Sequence, residues 1–218
     1  MLAIMYLAQT AANETPEQIT SLLDLLMKGG IIMIPIVFLS FITVYLFVER
    51  LTYIDKSSKI DNRLVDTVIK ELNEGHIDRA LIYTSTNSTA ASRIIASGVE
   101  QVGKPKKDIE SALETMTIYE MSKMDKNTGY LGIIAGIAPM LGFIGTIAGV
   151  IKIFYSISLT DNISIGVISG GLYQKMICSG AGLIVGVLAY SAYHYLQMKI
   201  DRYSVNLQES LIMFLKAL

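Results

Sequence analysis

The sequence predicts an all-α membrane protein with three transmembrane helices that continue into long cytoplasmic helices. Of the 218 residues, 52% are hydrophobic and only 17% are charged, which is more apolar than an ordinary soluble core requires. The mean hydropathy is +0.48, and the apolar residues gather in three long stretches. Between the first and second stretch, apolar residues recur three and four positions apart, which is the spacing of helices.

The first predicted span is residues 29–48. Within it, residues 31–48 form a run of 18 without a charge, and a helix of this length covers roughly 27 Å. The hydrocarbon core of a bilayer is about 30 Å thick, so the run is long enough to cross it. Pro35 falls in the first turn, where a missing amide donor costs least.

The polar region that follows, residues 49–128, is predicted to be helical. Gly75 and Gly98 are expected to mark breaks between its helices. A further helix is expected to start at Pro105 and to run unbroken into the second span.

Two more spans complete the membrane part. Residues 129–155 form the second span and residues 163–198 the third, joined by a short loop at 156–162. The last segment, residues 199–218, is predicted to be an amphipathic helix. Ahead of the first span, residues 1–28 form an amphipathic segment that Thr15 can cap as a helix, and its apolar part is too short to cross a membrane.

The distribution of lysine and arginine predicts the orientation. Twelve of them lie in residues 49–128 and three in the C-terminal tail, whereas Lys28 alone precedes the first span and the short loop has none. By the positive-inside rule, residues 49–128 and the C-terminus are cytoplasmic. The N-terminal segment and the short loop are then on the periplasmic side of a bacterial inner membrane.

The second and third spans contain small residues at intervals of three and four. Such residues let helices approach closely, and lipid offers no hydrophobic drive that would hold helices together instead. The predicted helix-packing residues are Pro139, Gly142, Gly145, Gly149, Gly182 and Gly186.

Four polar side chains lie among these small residues: Thr146 in the second span, and Gln174, Lys175 and Ser179 in the third. Lys175 is about twelve residues, or roughly 18 Å, into its span, and an ionisable group at that depth usually indicates a function. The alternatives are a snorkelling side chain or a structural hydrogen bond. Each hydroxyl alone is weaker evidence, because serine and threonine in membrane helices often bond to their own preceding turn.

The residues give little support for a disulfide, a metal site, an enzyme or nucleic-acid binding. The single cysteine, Cys178, excludes a disulfide within the chain, and neither His76 nor His194 stands in a metal-ligand motif. No HExxH or GxSxG motif is present. We therefore predict no metal, no cofactor and no enzymatic activity, and the net charge of −1 does not suggest nucleic-acid binding.

Two stretches resemble a known family. Residues 129–150, GYLGIIAGIAPMLGFIGTIAGV, resemble the "GYL…APxxGLxGTVxGI" helix of the MotA/TolQ/ExbB proton-channel family, in its ExbB/TolQ branch. Residues 171–183, GLYQKMICSGAGL, resemble its "GIxEALxATAxGL" helix. Glu49-Arg50-Leu51 after the first span also fits the pattern of this family. The predicted cytoplasmic region resembles the family only in its position and helical layout.

The resemblance implies a function. Members of the family form a homo-oligomeric ring, expected here to be a pentamer, in which the second and third spans line a central pore. The pore holds a small single-span partner of the ExbD or TolR type that carries a membrane aspartate. Proton flow through that aspartate energises a TonB- or TolA-type protein for outer-membrane transport or maintenance. Thr146 matches the family's pore threonine, and Ser179 stands where a second threonine is usual.

The sequence departs from the family pattern at one place. Gln174 occupies the position of a common glutamate, and Lys175 replaces a small residue, so no span contains a carboxylate. Glutamine cannot take up and release a proton at ordinary pH. Our hypothesis is that the partner's aspartate is the only titrating group and that Lys175 stabilises it when it is ionised.

Other classes of function compete with this one. In a purely structural or scaffolding membrane protein the glycines would serve packing alone, without ion conduction. A flagellar stator would normally have four spans, and a secondary transporter would usually show an inverted repeat of spans. The residues do not separate an ExbB role from a TolQ role, nor protons from sodium.

Overall fold

The computed structural model describes residues 30–59, 62–160 and 165–218, and the regular structure of this part is helical. Its helices, in chain order, are α1 (Met33–Ser57), α2 (Asn62–Asn73), α3 (Ile77–Thr86), α4 (Ala90–Val99), α5 (Lys106–Asp125), α6 (Thr128–Thr160) and α7 (Ile165–Ala217). The predicted N-terminal segment, residues 161 and 162 of the predicted short loop, and the side chain of Gln174 lie outside the described part.

Three helices are long and apolar enough to cross a membrane, as predicted. Helix α1 has 25 residues, α6 has 33 and α7 has 53. At 1.5 Å per residue α7 is about 80 Å long, more than twice the thickness of the hydrocarbon core. Much of α7 therefore extends beyond any bilayer that it crosses.

Helix α6 ends later than the sequence predicts. The second span is predicted to end at residue 155, whereas α6 continues through Thr160. Ser156 donates a hydrogen bond to the Lys152 carbonyl at 2.9 Å, and Ser158 donates one to the Tyr155 carbonyl at 2.8 Å. Both hydroxyls thus bond to carbonyls of the preceding turn, so these serines are accommodated in a helix although serine is also common in loops.

The predicted continuous helix from Pro105 into the membrane is wrong. Helix α5 ends at Asp125, and Asn127 has a φ of 69°, in the left-handed region that ends a helix. Thr128 then begins α6, and its hydroxyl donates to the Asp125 carbonyl at 2.8 Å. An asparagine tolerates this conformation, so one residue is enough to separate the two helices.

The chain divides into two compact units, described separately here. The described residues of the first are 30–36, 141–160 and 165–182. The second consists of residues 37–140 and 183–218, without residues 60 and 61.

In the second unit, helices α2 to α5 pack in sequence, each on the next. Gly98 lies inside α4 rather than at the predicted break. A Cβ atom there would lie 2.7 Å from Leu113 Cδ2 and 3.0 Å from Phe214 Cε1. Because Leu113 and Phe214 are buried, the glycine permits close packing and does not end the helix.

A buried ion cluster connects α4 with α5 in the same unit. The Glu120 side chain is only 1% exposed. Arg93 donates to both its carboxylate oxygens, with Nε–Oε1 at 3.0 Å and Nη2–Oε2 at 2.5 Å. Lys123 Nζ adds a third bond at 3.2 Å, and the buried Arg50 of α1 reaches the Lys123 carbonyl at 3.4 Å. The spacing of these residues along the sequence does not predict that they form a cluster.

Candidate functional site in the membrane helices

The candidate site is built on α6 and α7 in the first unit. Gly142, Gly145 and Gly149 are three and four residues apart, so they share one face of α6, and all three are buried. Their contacts run in the opposite order along α7, at Ser179, Cys178 and Lys175. The two helices are therefore antiparallel and meet along a stripe without side chains on α6.

At Gly142 the two backbones touch. A Cβ atom on Gly142 would lie 3.0 Å from the Ser179 Cα and 3.1 Å from the carbonyl oxygens of Cys178 and Ser179. These atoms cannot rotate away as a side chain could. The closest approach of α6 to α7 thus depends on the missing side chain at position 142.

Cys178 fills the space beside Gly145. Its Sγ lies 2.8 Å from the position that a Cβ atom on Gly145 would occupy, and its side chain is fully buried. From the sequence, Cys178 stands out only as a single cysteine. However, it is three residues after Lys175 and four residues before Gly182, and this helical spacing predicts that it shares their face of α7.

Lys175 crosses α6 at Gly149. A Cβ atom on Gly149 would lie 2.1 Å from Lys175 Cγ and 2.3 Å from its Cδ and Cε, while Nζ is 3.7 Å from the equivalent position on Gly30. The alkyl chain therefore lies in a gap left by a glycine, and the ammonium reaches the residue that precedes the first turn of α1. Lys175 is half-buried in this arrangement.

We expect the Gly149 and Lys175 positions to be energetically coupled. Gly149→Ala alone should lower the free energy of unfolding by about 1–3 kcal/mol, because the new methyl group overlaps the lysine chain. In a Lys175→Ala background the same change should cost much less, with a coupling on the order of 1 kcal/mol. Thermal unfolding followed by circular dichroism in detergent measures both values. Strictly additive effects would contradict the contact.

The two predicted hydroxyl groups are both half-buried. Thr146 Oγ1 donates to the Phe143 carbonyl at 2.6 Å, so its proton is used within α6 while its oxygen can still accept a hydrogen bond. Ser179 lies where the backbones of α6 and α7 meet. Gln174 belongs to α7, but its side-chain position lies outside the described part.

The second unit repeats the close packing with other residues. A Cβ atom on Gly186 would lie 2.5 Å from Pro139 Cγ and 3.1 Å from the Ala135 carbonyl. Gly182, which belongs to the first unit, is buried in α7. Of the predicted packing residues, Pro139, Gly142, Gly145, Gly149 and Gly186 thus lie at contacts between α6 and α7.

Outside the membrane helices, three potential metal ligands converge. Gly75 has a φ of 80° and turns the chain back after α2. His76 Nδ1 then lies 3.5 Å from a Glu71 oxygen and 3.6 Å from a Glu74 oxygen. The histidine side chain is exposed and lies between these two carboxylates. Exposed acidic groups commonly gather in this way without an ion, so the geometry does not require a metal.

The chemistry available at the site follows from what its helices carry. Residues 129–160 and 162–200 contain no aspartate or glutamate. Two hydroxyl groups can accept and pass hydrogen bonds, and one ammonium can stabilise a negative charge. A carboxylic acid in this region would therefore have to come from outside these residues.

Comparison with known proteins supports the same family as the motifs. Residues 75–209 match the MotA/TolQ/ExbB proton channel family. An ExbB homologue of Methanothermobacter thermautotrophicus, named as a biopolymer transport protein, is 26% identical over 182 residues, covering 83% of this chain and 64% of the relative. ExbB-like 3 of Synechocystis sp. is 27% identical over 164 residues, covering 74% of this chain and 78% of the relative.

A shorter match is found to a protein whose name is ExbB itself, rather than ExbB homologue or ExbB-like. The biopolymer transport protein ExbB of Salmonella typhimurium is 27% identical over 84 residues, which are 38% of this chain and 34% of that protein. The chain spans less than two thirds of the Methanothermobacter relative. The family match covers more than half of the chain and includes both helices of the site. The chain therefore belongs to the MotA/TolQ/ExbB proton channel family, and its relatives place it in the ExbB/TolQ branch.

Proposed function

We propose that the chain is the ring subunit of a proton-driven motor of the ExbB/TolQ type in a bacterial inner membrane. The observation that carries the proposal is the α6–α7 pair, which combines backbone contact at Gly142 with the hydroxyl groups of Thr146 and Ser179 and with no carboxylate. Such a pair can line a proton path, but it needs an acid from another chain. Its relatives are named as biopolymer transport proteins, which agrees with a role in energising transport.

The proposed partner is a single-span protein of the ExbD or TolR type that brings the missing aspartate. Five copies of the chain form the ring around it, with α6 and α7 lining the pore, and the motion energises a TonB- or TolA-type protein. The excess of lysine and arginine in residues 49–128 supports a cytoplasmic position for that region and for the C-terminal part of α7. The N-terminal segment and the short loop are then periplasmic.

The hydroxyl groups supply the first test. We expect Thr146→Ala and Ser179→Ala to assemble normally but to reduce proton flux about tenfold or more, because each removes a hydrogen bond to an ionised or protonating group. The measurement is proton flux into proteoliposomes that contain the ring with its co-purified single-span partner. Thr52→Ala is the matched control, since Thr52 also donates to its own preceding turn, at 2.7 Å to the Val48 carbonyl, but at an exposed position of α1.

The same experiment separates the motor from a scaffold. A structural protein without ion conduction would show no flux in the wild type and no loss of function in either variant. Co-purification of a small protein with one membrane aspartate would support the motor, and native mass spectrometry of the same sample counts the subunits of the ring.

A second test addresses Lys175. In Lys175→Met the partner's ionised carboxylate loses a positive neighbour, so it should release its proton only at higher pH. We expect the pH of half-maximal flux to rise by about one unit. Lys216→Met removes the same charge from the last turn of α7, 41 residues further along the helix, and should leave the pH profile unchanged. An unchanged profile in Lys175→Met would contradict the role given to the ammonium.

A further inference from the structure

An apolar groove lies between α1 and α7 in the second unit. It has a volume of about 440 Å³, within the range of roughly 300–1,000 Å³ that is typical of ligand sites. Thr43 on α1 and Leu188 and Ser191 on α7 line it. Thr43 uses its hydroxyl proton on the Leu39 carbonyl, so the wall presents little hydrogen-bonding capacity.

The groove ends at a pair of aromatic rings. Phe47 of α1 and Tyr195 of α7 have ring centroids 6.2 Å apart. The Lys199 ammonium lies 5.5 Å from the centroid of the same tyrosine ring and is paired with Asp55. A charged residue thus follows the apolar lining of the groove after about one turn of α7.

A polar cavity of about 700 Å³ follows on the same helix, and Lys199 lines it together with Arg202. Arg202 is exposed and forms no ion pair among the residues that the structure describes. Two acids, Asp66 and Glu209, line the cavity as well. The cavity therefore offers both signs of charge. Because Lys199 is already paired with Asp55, Arg202 is the cation of this lining that is left to bind an anion.

We propose that this groove and cavity together bind one phospholipid whose headgroup carries a phosphodiester and a primary ammonium. An acyl chain fills the apolar groove between α1 and α7, and the phosphate lies at Lys199 and Arg202. The ammonium of the headgroup is the complement of Asp66 and Glu209. Lysine and arginine side chains at the ends of membrane helices bind the phosphate groups of lipids, and a carboxylate accepts charge-assisted hydrogen bonds from an ammonium.

The balance of charge selects this lipid class over others. A headgroup with only a negative charge would leave Asp66 and Glu209 without a partner. A quaternary ammonium carries the same positive charge but has no N–H to donate to a carboxylate. A helix from a second copy of the chain could cover the groove, but it would not explain why a cavity of mixed charge lies one helix turn from it.

The test compares three lipids with the same acyl chains: phosphatidylethanolamine, phosphatidylglycerol and phosphatidylcholine. Each is added to the detergent-purified protein, and thermal unfolding is followed by circular dichroism while native mass spectrometry counts the retained lipids. Phosphatidylethanolamine should raise the melting temperature most and be retained at one molecule per chain. Equal effects of all three lipids, or a larger effect of phosphatidylglycerol, would overturn the proposal.

Two variants locate the site. Arg202→Gln removes an exposed cation, and Ser191→Phe fills the groove at an exposed position. Both should reduce lipid retention at least fivefold and abolish the shift in melting temperature. Lys216→Gln, an exposed cation in the last turn of α7, is the matched control and should retain the lipid. Unchanged retention in Arg202→Gln and Ser191→Phe would show that the lipid lies elsewhere.

Cysteine cross-linking tests the competing occupant. Cysteines at positions 44 and 191, in a Cys178→Ala background, should form little disulfide between chains if a lipid fills the groove. Nearly complete cross-linking between two chains in native membranes would instead assign the groove to a second copy. Since the readouts are lipid retention and cross-linking, the result does not depend on whether the protein conducts protons.

Discussion

Gly142→Leu is expected to separate α6 from α7 and to be the most damaging single change in the membrane part. A Cβ atom at this position would lie 3.0 Å from the Ser179 Cα, and a backbone cannot move aside as a flexible side chain can. Overpacking typically lowers the free energy of unfolding by about 1–3 kcal/mol. Because the new side chain would meet rigid backbone, we expect this variant to lie at the upper end of that range. We expect a large drop in melting temperature and loss of proton flux.

The same helix provides the control. Gly136 is in α6, and a Cβ atom there would meet nothing within 4 Å. Gly136→Leu should therefore change the free energy of unfolding by less than about 1 kcal/mol. Circular dichroism melts of the two variants in the same detergent make the comparison. Equal destabilisation would mean that leucine disfavours α6 at any position and that the contact with Ser179 is unimportant.

Glu120→Ala is expected to be the most damaging change outside the membrane. Removing one partner of a buried ion pair costs about 3–5 kcal/mol, because the remaining charge is left uncompensated. The loss of stability in Glu120→Ala should lie near the lower end of this range, because 34% of the Arg93 side chain is exposed and water can solvate its charge. Chemical denaturation measures the loss, and Glu114→Ala, an exposed acid on the same helix, should have little effect.

The same carboxylate makes stability depend on pH. Burial alone would raise the pKa of Glu120, but hydrogen bonds from Arg93 and Lys123 outweigh burial and hold that pKa below its usual value. A lowered pKa means that the unfolded chain binds the proton more readily. The stabilisation is therefore complete above the ordinary glutamate pKa, about 4.3, and is lost as the pH falls through the lower folded value. Glu120→Gln should remove this part of the acid dependence.

Much of the membrane architecture is predictable from the sequence because lipid restricts the choices. A run of 18 residues without charge has few ways to satisfy its backbone groups other than a helix. Glycines spaced three and four apart on one helix face predict close packing, and a Cβ atom at Gly142, Gly145 or Gly149 would lie within 3.0 Å of an atom of α7. The family was also identifiable from residues 129–150 and is confirmed by the match over residues 75–209.

Helix ends were less predictable, because they depend on single hydrogen bonds. Ser156 and Ser158 are accommodated in α6, where their hydroxyls bond to carbonyls of the same helix, while Asn127 adopts a left-handed conformation and separates α5 from α6. Composition and periodicity do not distinguish these outcomes, since serine and asparagine are acceptable both at helix ends and in loops.

By itself the sequence determined which segments are apolar enough to cross a membrane, which residues are small or polar within them, and the family. These properties depend on composition and spacing along one chain. Only the tertiary structure decided that the Lys175 chain crosses Gly149, that Cys178 fills the space beside Gly145, and that Arg93 meets Glu120 twenty-seven residues away. The reason is physical: an atom's neighbours across a helix interface depend on the rotation and approach of both helices, and these are set by the packing of all the side chains between them.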